Sequence, residues 1–149
     1  MSLPRVHPAV VFLLAVAAMA GLHLLPGNVV WLPWPWNLLG LGDVIGGSLW
    51  NAWLARRFAR AGTPTRPGAE PQTLVSDGPF AFSRNPMYLG LLVVIGGVAL
   101  LFGSLYPLAV WPLCALYCDR VLVPGEERRL EAHFGEAFRR YRERVPRWL

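Results

Sequence analysis

Pro86–Val123 reads PMYLGLLVVIGGVALLFGSLYPLAVWPLCALYCDRVLV and meets no charge before Asp119. A helix that crosses a bilayer needs about 20 mainly apolar residues. The stretch is long enough for two, Pro86–Ser104 and Leu105–Val123, divided by a tight uncharged turn. Working outward toward the N-terminus, Trp36–Leu54 and Pro8–Leu25 have the same character. The expectation is an all-α, polytopic membrane protein with four transmembrane helices. One domain fills residues 1–149, with a cytoplasmic loop over 55–85 and a cytoplasmic amphipathic helix over 126–143.

The chain is 54% hydrophobic and 15% charged, against roughly 25% charged in soluble domains. All fourteen basic residues are Arg, and the net charge is +5. Their positions argue against nucleic acid as the partner. Arg56, Arg57, Arg60, Arg66 and Arg84 lie between the second and third spans, and Arg128, Arg129, Arg139, Arg140, Arg142, Arg144 and Arg147 follow the fourth. The loop Pro26–Pro35 has no charge. The positive-inside rule then places both termini in the cytoplasm. The expected location is a plasma membrane of the bacterial inner-membrane type, with the arginines meeting anionic lipid headgroups. The first span lacks a basic n-region beyond Arg5 and a small-residue cleavage site, so it reads as a retained helix.

Several features have structural readings. The Trp residues of VVWLPWPW, 29–36, suit an interfacial anchor. Cys114 and Cys118 read as buried apolar residues, and two thiols alone make a poor metal site. Gly42 and Gly46 form a GxxxG pair, with Gly96 and Gly97 as expected partners. Asp43 is an acid inside a span, an ion or proton site unless it lies at the interface. Gly62–Ser76 is too rich in Pro and Gly for a helix and reads as a long loop over the cytoplasmic mouth.

Two polar segments carry the chemistry. Asp77–Gly90 reads DGPFAFSRNPMYLG, a turn followed by a helix with Asn85 as N-cap and Pro86 at the first helical position. After Pro124-Gly125, expected to break the chain, Glu126–Trp148 reads EERRLEAHFGEAFRRYRERVPRW. In it Leu130, Phe134, Phe138 and Tyr141 recur as one apolar stripe, on a helix lying on the membrane or against the bundle.

In this order, bracketing a membrane hairpin, the two segments resemble the isoprenylcysteine carboxyl methyltransferase and phospholipid methyltransferase superfamily. The shared features are the GPF turn, R-N-P-x-Y-x-G entering a helix, a Glu-Glu pair, an FG, a spaced Tyr and a V-P-R ending. The resemblance covers about Leu74 to Leu149. It implies S-adenosyl-L-methionine as methyl donor, S-adenosyl-L-homocysteine as product, and an acceptor that enters from the bilayer. It implies a donor site that includes Asn85, Tyr88, Gly90, Glu126, Glu127, Tyr141 and Arg147. Many members have His where this chain has Asn85, and Asn cannot carry a proton near neutral pH. Asn85 is therefore expected as a contact and not as a base.

The residue types fit those roles. Carboxylates at Glu126 and Glu127 can accept charge-assisted hydrogen bonds from an ammonium or a ribose. Tyr88 offers a ring and a hydroxyl, and Gly90 a close approach. A carboxylate acceptor needs no base, only a cation to orient it, and Arg84 and Arg120 are the candidates. An amine acceptor must lose a proton, to Asp119 or to one of the Glu pair. The preferred reading is a methyltransferase acting on a lipophilic acceptor, of the isoprenylcysteine carboxyl type. A second is an N-methyltransferase of phosphatidylethanolamine type. A third, of another class, is a non-catalytic four-helix transporter or scaffold built on Asp43 and the small-residue faces.

Overall fold

The computed structural model describes residues 8–60 and 73–149. Regular structure among them is helical apart from one isolated bridge, Val30 to Ser104. Helix α1 spans Pro8–His23. A 3-10 turn, Trp36–Leu39, leads into α2, Gly40–Arg60. Then follow α3 (Pro86–Phe102), α4 (Leu105–Tyr117), α5 (Val123–Phe134) and α6 (Glu136–Arg144). Of the expected long loop, 62–72 lie outside the described residues.

Two boundaries depart from expectation, each for a backbone reason. Pro124 and Gly125 do not break the chain; they lie at the start of α5, inside the continuous helical run Leu105–Phe134. A proline clashes with the carbonyl four residues back, here Arg120. The backbone widens there into a π-helical turn, Cys118–Leu122, which carries α4 into α5. The expected single C-terminal helix is two. Gly135 has φ +52, a left-handed conformation that ends α5 and starts α6.

By length and composition, Leu105–Phe134 is the one described helical run able to cross a membrane. Pro8–His23 and Pro86–Phe102 are apolar but shorter. Large apolar side chains are exposed along several helices, among them Leu13, Leu14, Leu49, Leu113 and Leu116.

The chain divides into two compact units, Met1–Gly47 with Leu92–Leu116, and Ser48–Leu91 with Tyr117–Leu149. In the first, the close helix contact is made by Gly40 and Gly97 and not by the expected Gly42 and Gly46. A Cβ on Gly97 would lie 2.6 Å from the Gly40 carbonyl oxygen and 2.8 Å from Asp43 Cβ, whereas one on Gly42 or Gly46 would have nothing within 4 Å. Positions 40, 43 and 44 share a helix face, and 42 and 46 point away from it. Asp43 is exposed in the first turn of α2, where a carboxylate complements the helix dipole. The α3–α4 turn satisfies its backbone locally: Trp31 and Leu32 both donate to the Gly103 carbonyl at 3.0 Å, and Asn37 Nδ2 donates to that of Leu101 at 2.8 Å.

The second unit has its own core of Leu54, Phe80, Phe138, Tyr141 and Val145. Phe58, Leu74, Val75, Met87, Leu130 and Phe134 pack around it. The apolar stripe of the C-terminal segment therefore faces protein, although its four residues come from two helices. Phe58 meets Phe80 edge-on at 5.1 Å, and the buried Tyr141 hydroxyl donates to the Phe80 carbonyl at 2.7 Å.

Candidate functional site

The second unit brings its two polar segments together at the start of α3. Pro86 opens that helix, and the three residues before it are tied to the chain's C-terminal end. Arg84 N–H donates to the Pro146 carbonyl at 3.0 Å. The Arg147 carbonyl accepts from Asn85 Nδ2 at 3.0 Å and from Ser83 Oγ at 3.4 Å. The V-P-R-W ending is thus a strap laid along the S-R-N turn, and Asn85, buried, is one of its fasteners.

Side chains of alternating charge lie under that strap. Arg84 Nη1 is 2.7 Å from Glu127 Oε1, with both side chains nearly enclosed, 10% and 12% exposed. Glu127 Oε2 accepts from Arg147 Nη2 at 2.9 Å. Arg147 Nη1 donates to Asp119 Oδ1 at 3.3 Å, and the same oxygen accepts from Trp148 Nε1 at 2.9 Å. Arg120, largely exposed, donates from Nε to Asp119 Oδ2 at 3.2 Å. Burial lowers the proton affinity of the Arg84 guanidinium, with Glu127 opposing it. Hydrogen bonding to Glu127 raises that of Arg147.

Arg84 is incompletely satisfied. Its Nε is buried without a hydrogen-bond partner, and its close approach to Glu127 is off the line of a hydrogen bond. A buried donor left unmade is costly unless something else meets it. Glu127 shares the deficit: Oε1 lies near Arg84 without a hydrogen bond, and Oε2 accepts from Arg147.

A second pair lies one turn along α3, where Tyr88 OH donates to Glu126 Oε2 at 3.0 Å. Gly90 has a different neighbour. A Cβ there would lie 2.7 Å from the Asn51 amide and from Trp50 Cδ1, so the close approach it permits is to α2. The Trp50 indole N–H donates to the Pro86 carbonyl at 2.9 Å. Asn51, with its amide oriented to suit its neighbours, donates to the Met87 carbonyl at 3.0 Å and accepts from Leu91 N–H at 3.2 Å. These two residues fix the first turns of α3, and no motif in the sequence marks them.

The structure thus gathers Arg84, Asn85, Glu127 and Arg147 into one network and sets Tyr88 with Glu126 beside it in sequence. It places Tyr141 in the core and Arg120 on the surface. Asp119, weighed as a proton acceptor, is loaded with three donors. Trp148 was legible only as part of the C-terminal ending.

Residues 36–137 match the profile of the phospholipid methyltransferase family. The chain belongs to that family. Membership extends the resemblance upstream of Leu74. A protein-S-isoprenylcysteine O-methyltransferase of Schizosaccharomyces pombe is 32% identical over 78 residues, which is 49% of this chain and 31% of that protein. The chain therefore spans less than a third of the length of this curated relative. No solved structure matches.

Proposed function

We propose that this chain is an S-adenosylmethionine-dependent methyltransferase acting on a lipophilic, membrane-partitioned carboxylic acid, of the isoprenylcysteine carboxyl O-methyltransferase type. The observation that carries it is Arg84: a buried guanidinium with an unpartnered Nε, set beside Glu127, which Arg147 also meets. Such a site has a donor to spare for an anion. That favours a carboxylate acceptor over a phosphatidylethanolamine-type amine, the reading the family's own description would suggest.

The same proposal takes 1–149 as one domain with four membrane spans, both termini in the cytoplasm of a bacterium. The exposed leucines of α1, α2 and α4 support immersion in lipid. Helices of 16 and 17 residues, α1 and α3, are short for a bilayer, and the interfacial Trp residues 31, 34 and 36 lengthen the apolar belt.

Tyr88 and Glu126 would hold the donor's hydroxyl or ammonium groups, with Asn85, Glu127 and Arg147 shaping the floor. When bound, the donor supplies a methyl group on a sulfonium centre. Arg84 orients the acceptor carboxylate and holds it ionised, so no proton has to move. Glu127 keeps Arg84 in place, and the strap excludes water from it. Gly90 and Tyr141 serve the site by packing.

Saturable binding of S-adenosylmethionine to the detergent-purified protein tests the donor. Arg84→Ala should keep that binding and lose turnover of a prenylated cysteine acid, whose product releases methanol in mild alkali. Equal loss of both activities removes Arg84 as the acceptor ligand. An alkali-stable product shifts the reading to N-methylation.

A further inference from the structure

In the proposed donor site Arg147 presents one arm to Glu127 and the other to Asp119. An arginine facing a lone carboxylate normally engages both oxygens with two parallel bonds. Here the fork is split. Nη1 goes to Asp119 Oδ1 at 3.3 Å, and Nη2 goes to Glu127 Oε2 at 2.9 Å. Glu127 Oε1 is thereby left to Arg84 at 2.7 Å. Asp119 also accepts from Trp148 Nε1, which fastens the strap beyond Arg147.

The π-helical turn Cys118–Leu122 carries Asp119. Such turns re-aim side chains relative to a regular helix and recur at functional sites. Pro124 follows this turn two residues on. The chain Pro124, π turn, Asp119, Arg147, Glu127, Arg84 links a backbone irregularity to the orientation of the buried guanidinium.

We propose that Asp119 is a positioning residue of this methyltransferase site, acting through Arg147 and Trp148 and touching no ligand itself. It divides the two oxygens of Glu127 between Arg147 and Arg84. Without its charge, Arg147 turns both arms onto Glu127, which displaces Arg84 from Oε1 and shifts the donor floor that Arg147 and Glu127 form. The Arg147 backbone stays held by Ser83 and Asn85, so the fold survives while the side-chain geometry changes.

The proposal rests on the donor-site reading above, and its test separates the two. Asp119→Asn, Arg147→Gln and the double variant are made in the 149-residue chain. S-adenosylmethionine affinity is measured by calorimetry. Resistance of Trp148 and Leu149 to carboxypeptidase is followed by mass spectrometry without donor. Asp119→Asn should weaken donor binding about tenfold at an unchanged thermal midpoint, and add nothing in the Arg147→Gln background, since one interaction has been removed twice. The strap should be trimmed faster in Asp119→Asn than in the parent. Additive losses in the double variant overturn the proposal, as does equal trimming. Absence of donor binding in the parent overturns the donor reading instead, and the trimming comparison still decides the role of Asp119.

Discussion

The second unit holds two sets of arginine–carboxylate pairs that differ in burial. Under the strap, Glu127 lies between Arg84 and Arg147. On the outer face of α6, Glu136 receives Arg139 at 3.2 Å and Arg140 at 3.4 Å, all more than half exposed. The distances are similar and the residue types identical. What differs is solvent. Exposed pairs contribute at most about 1 kcal/mol because water screens them and holding two long side chains costs entropy. A buried pair is marginal in net stability, yet breaking it strands a charge away from water at a cost of about 3–5 kcal/mol. The inner set therefore specifies geometry, and the outer set keeps a surface soluble.

The largest break in that contrast is Glu127→Ala. It leaves two guanidiniums facing each other beneath the strap. Unfolding in detergent should show a loss of about 3–5 kcal/mol, reduced toward the lower end because Arg147 is a third exposed. A loss below about 1 kcal/mol would mean that the inner pairs are solvated like the outer ones.

Tyr141→Phe is next. It removes the bond to the buried Phe80 carbonyl and should cost about 1–3 kcal/mol. Burial pushes the Tyr141 phenol up to about 12 from an ordinary value of 10.0, with Arg84 opposing. The folded state thus keeps a proton that the unfolded state gives up. Its stabilising contribution is complete below pH 10 and disappears as pH rises to about 12. The phenylalanine variant should lose that alkaline slope, read from unfolding midpoints across the window. Gly90→Ala should cost a similar 1–3 kcal/mol, roughly what overpacking costs, because its Cβ would meet Trp50 and Asn51 at 2.7 Å. Donor affinity measured beside stability would show whether position 90 acts through packing alone.

The contrast also explains what could be read from sequence. The apolar stretches Pro8–Leu25 and Pro86–Ser104 match α1 and α3 closely, whereas α2 is Gly40–Arg60 and not Trp36–Leu54, and α4 stops at Tyr117 and not Val123; burying backbone polar groups leaves helix as the natural form for such runs. The S-R-N-P and Glu-Glu segments stood out through the family resemblance, and the structure brings Arg84 and Glu127 together. The faces were less so. Gly42 and Gly46 have the spacing of a contact pair, but Gly40 sets the contact, and only the partner helix decides which stripe is used. Pro124-Gly125 looks like a break, but the residues before it absorbed the clash in a π turn. Asp119 and Trp148 lie 29 positions apart, and no local pattern links an acid in an apolar run to an indole at a chain's end.

The smallest expected effect falls on the outer pairs. Glu136→Gln removes the counter-charge of both Arg139 and Arg140 and should change stability by no more than about 0.5 kcal/mol, an effect that added salt erases. Glu136 is also in the first turn of α6, where a carboxylate faces the helix dipole, so part of that small loss belongs to the helix and not to the arginines. Arg139→Gln with Arg140→Gln separates the two: it leaves the dipole term and removes the pairs. If the double arginine variant matches the parent while Glu136→Gln is slightly weaker, the outer pairs contribute nothing. The acid is then there for the helix, and the arginines of α6 are free to face an anionic surface.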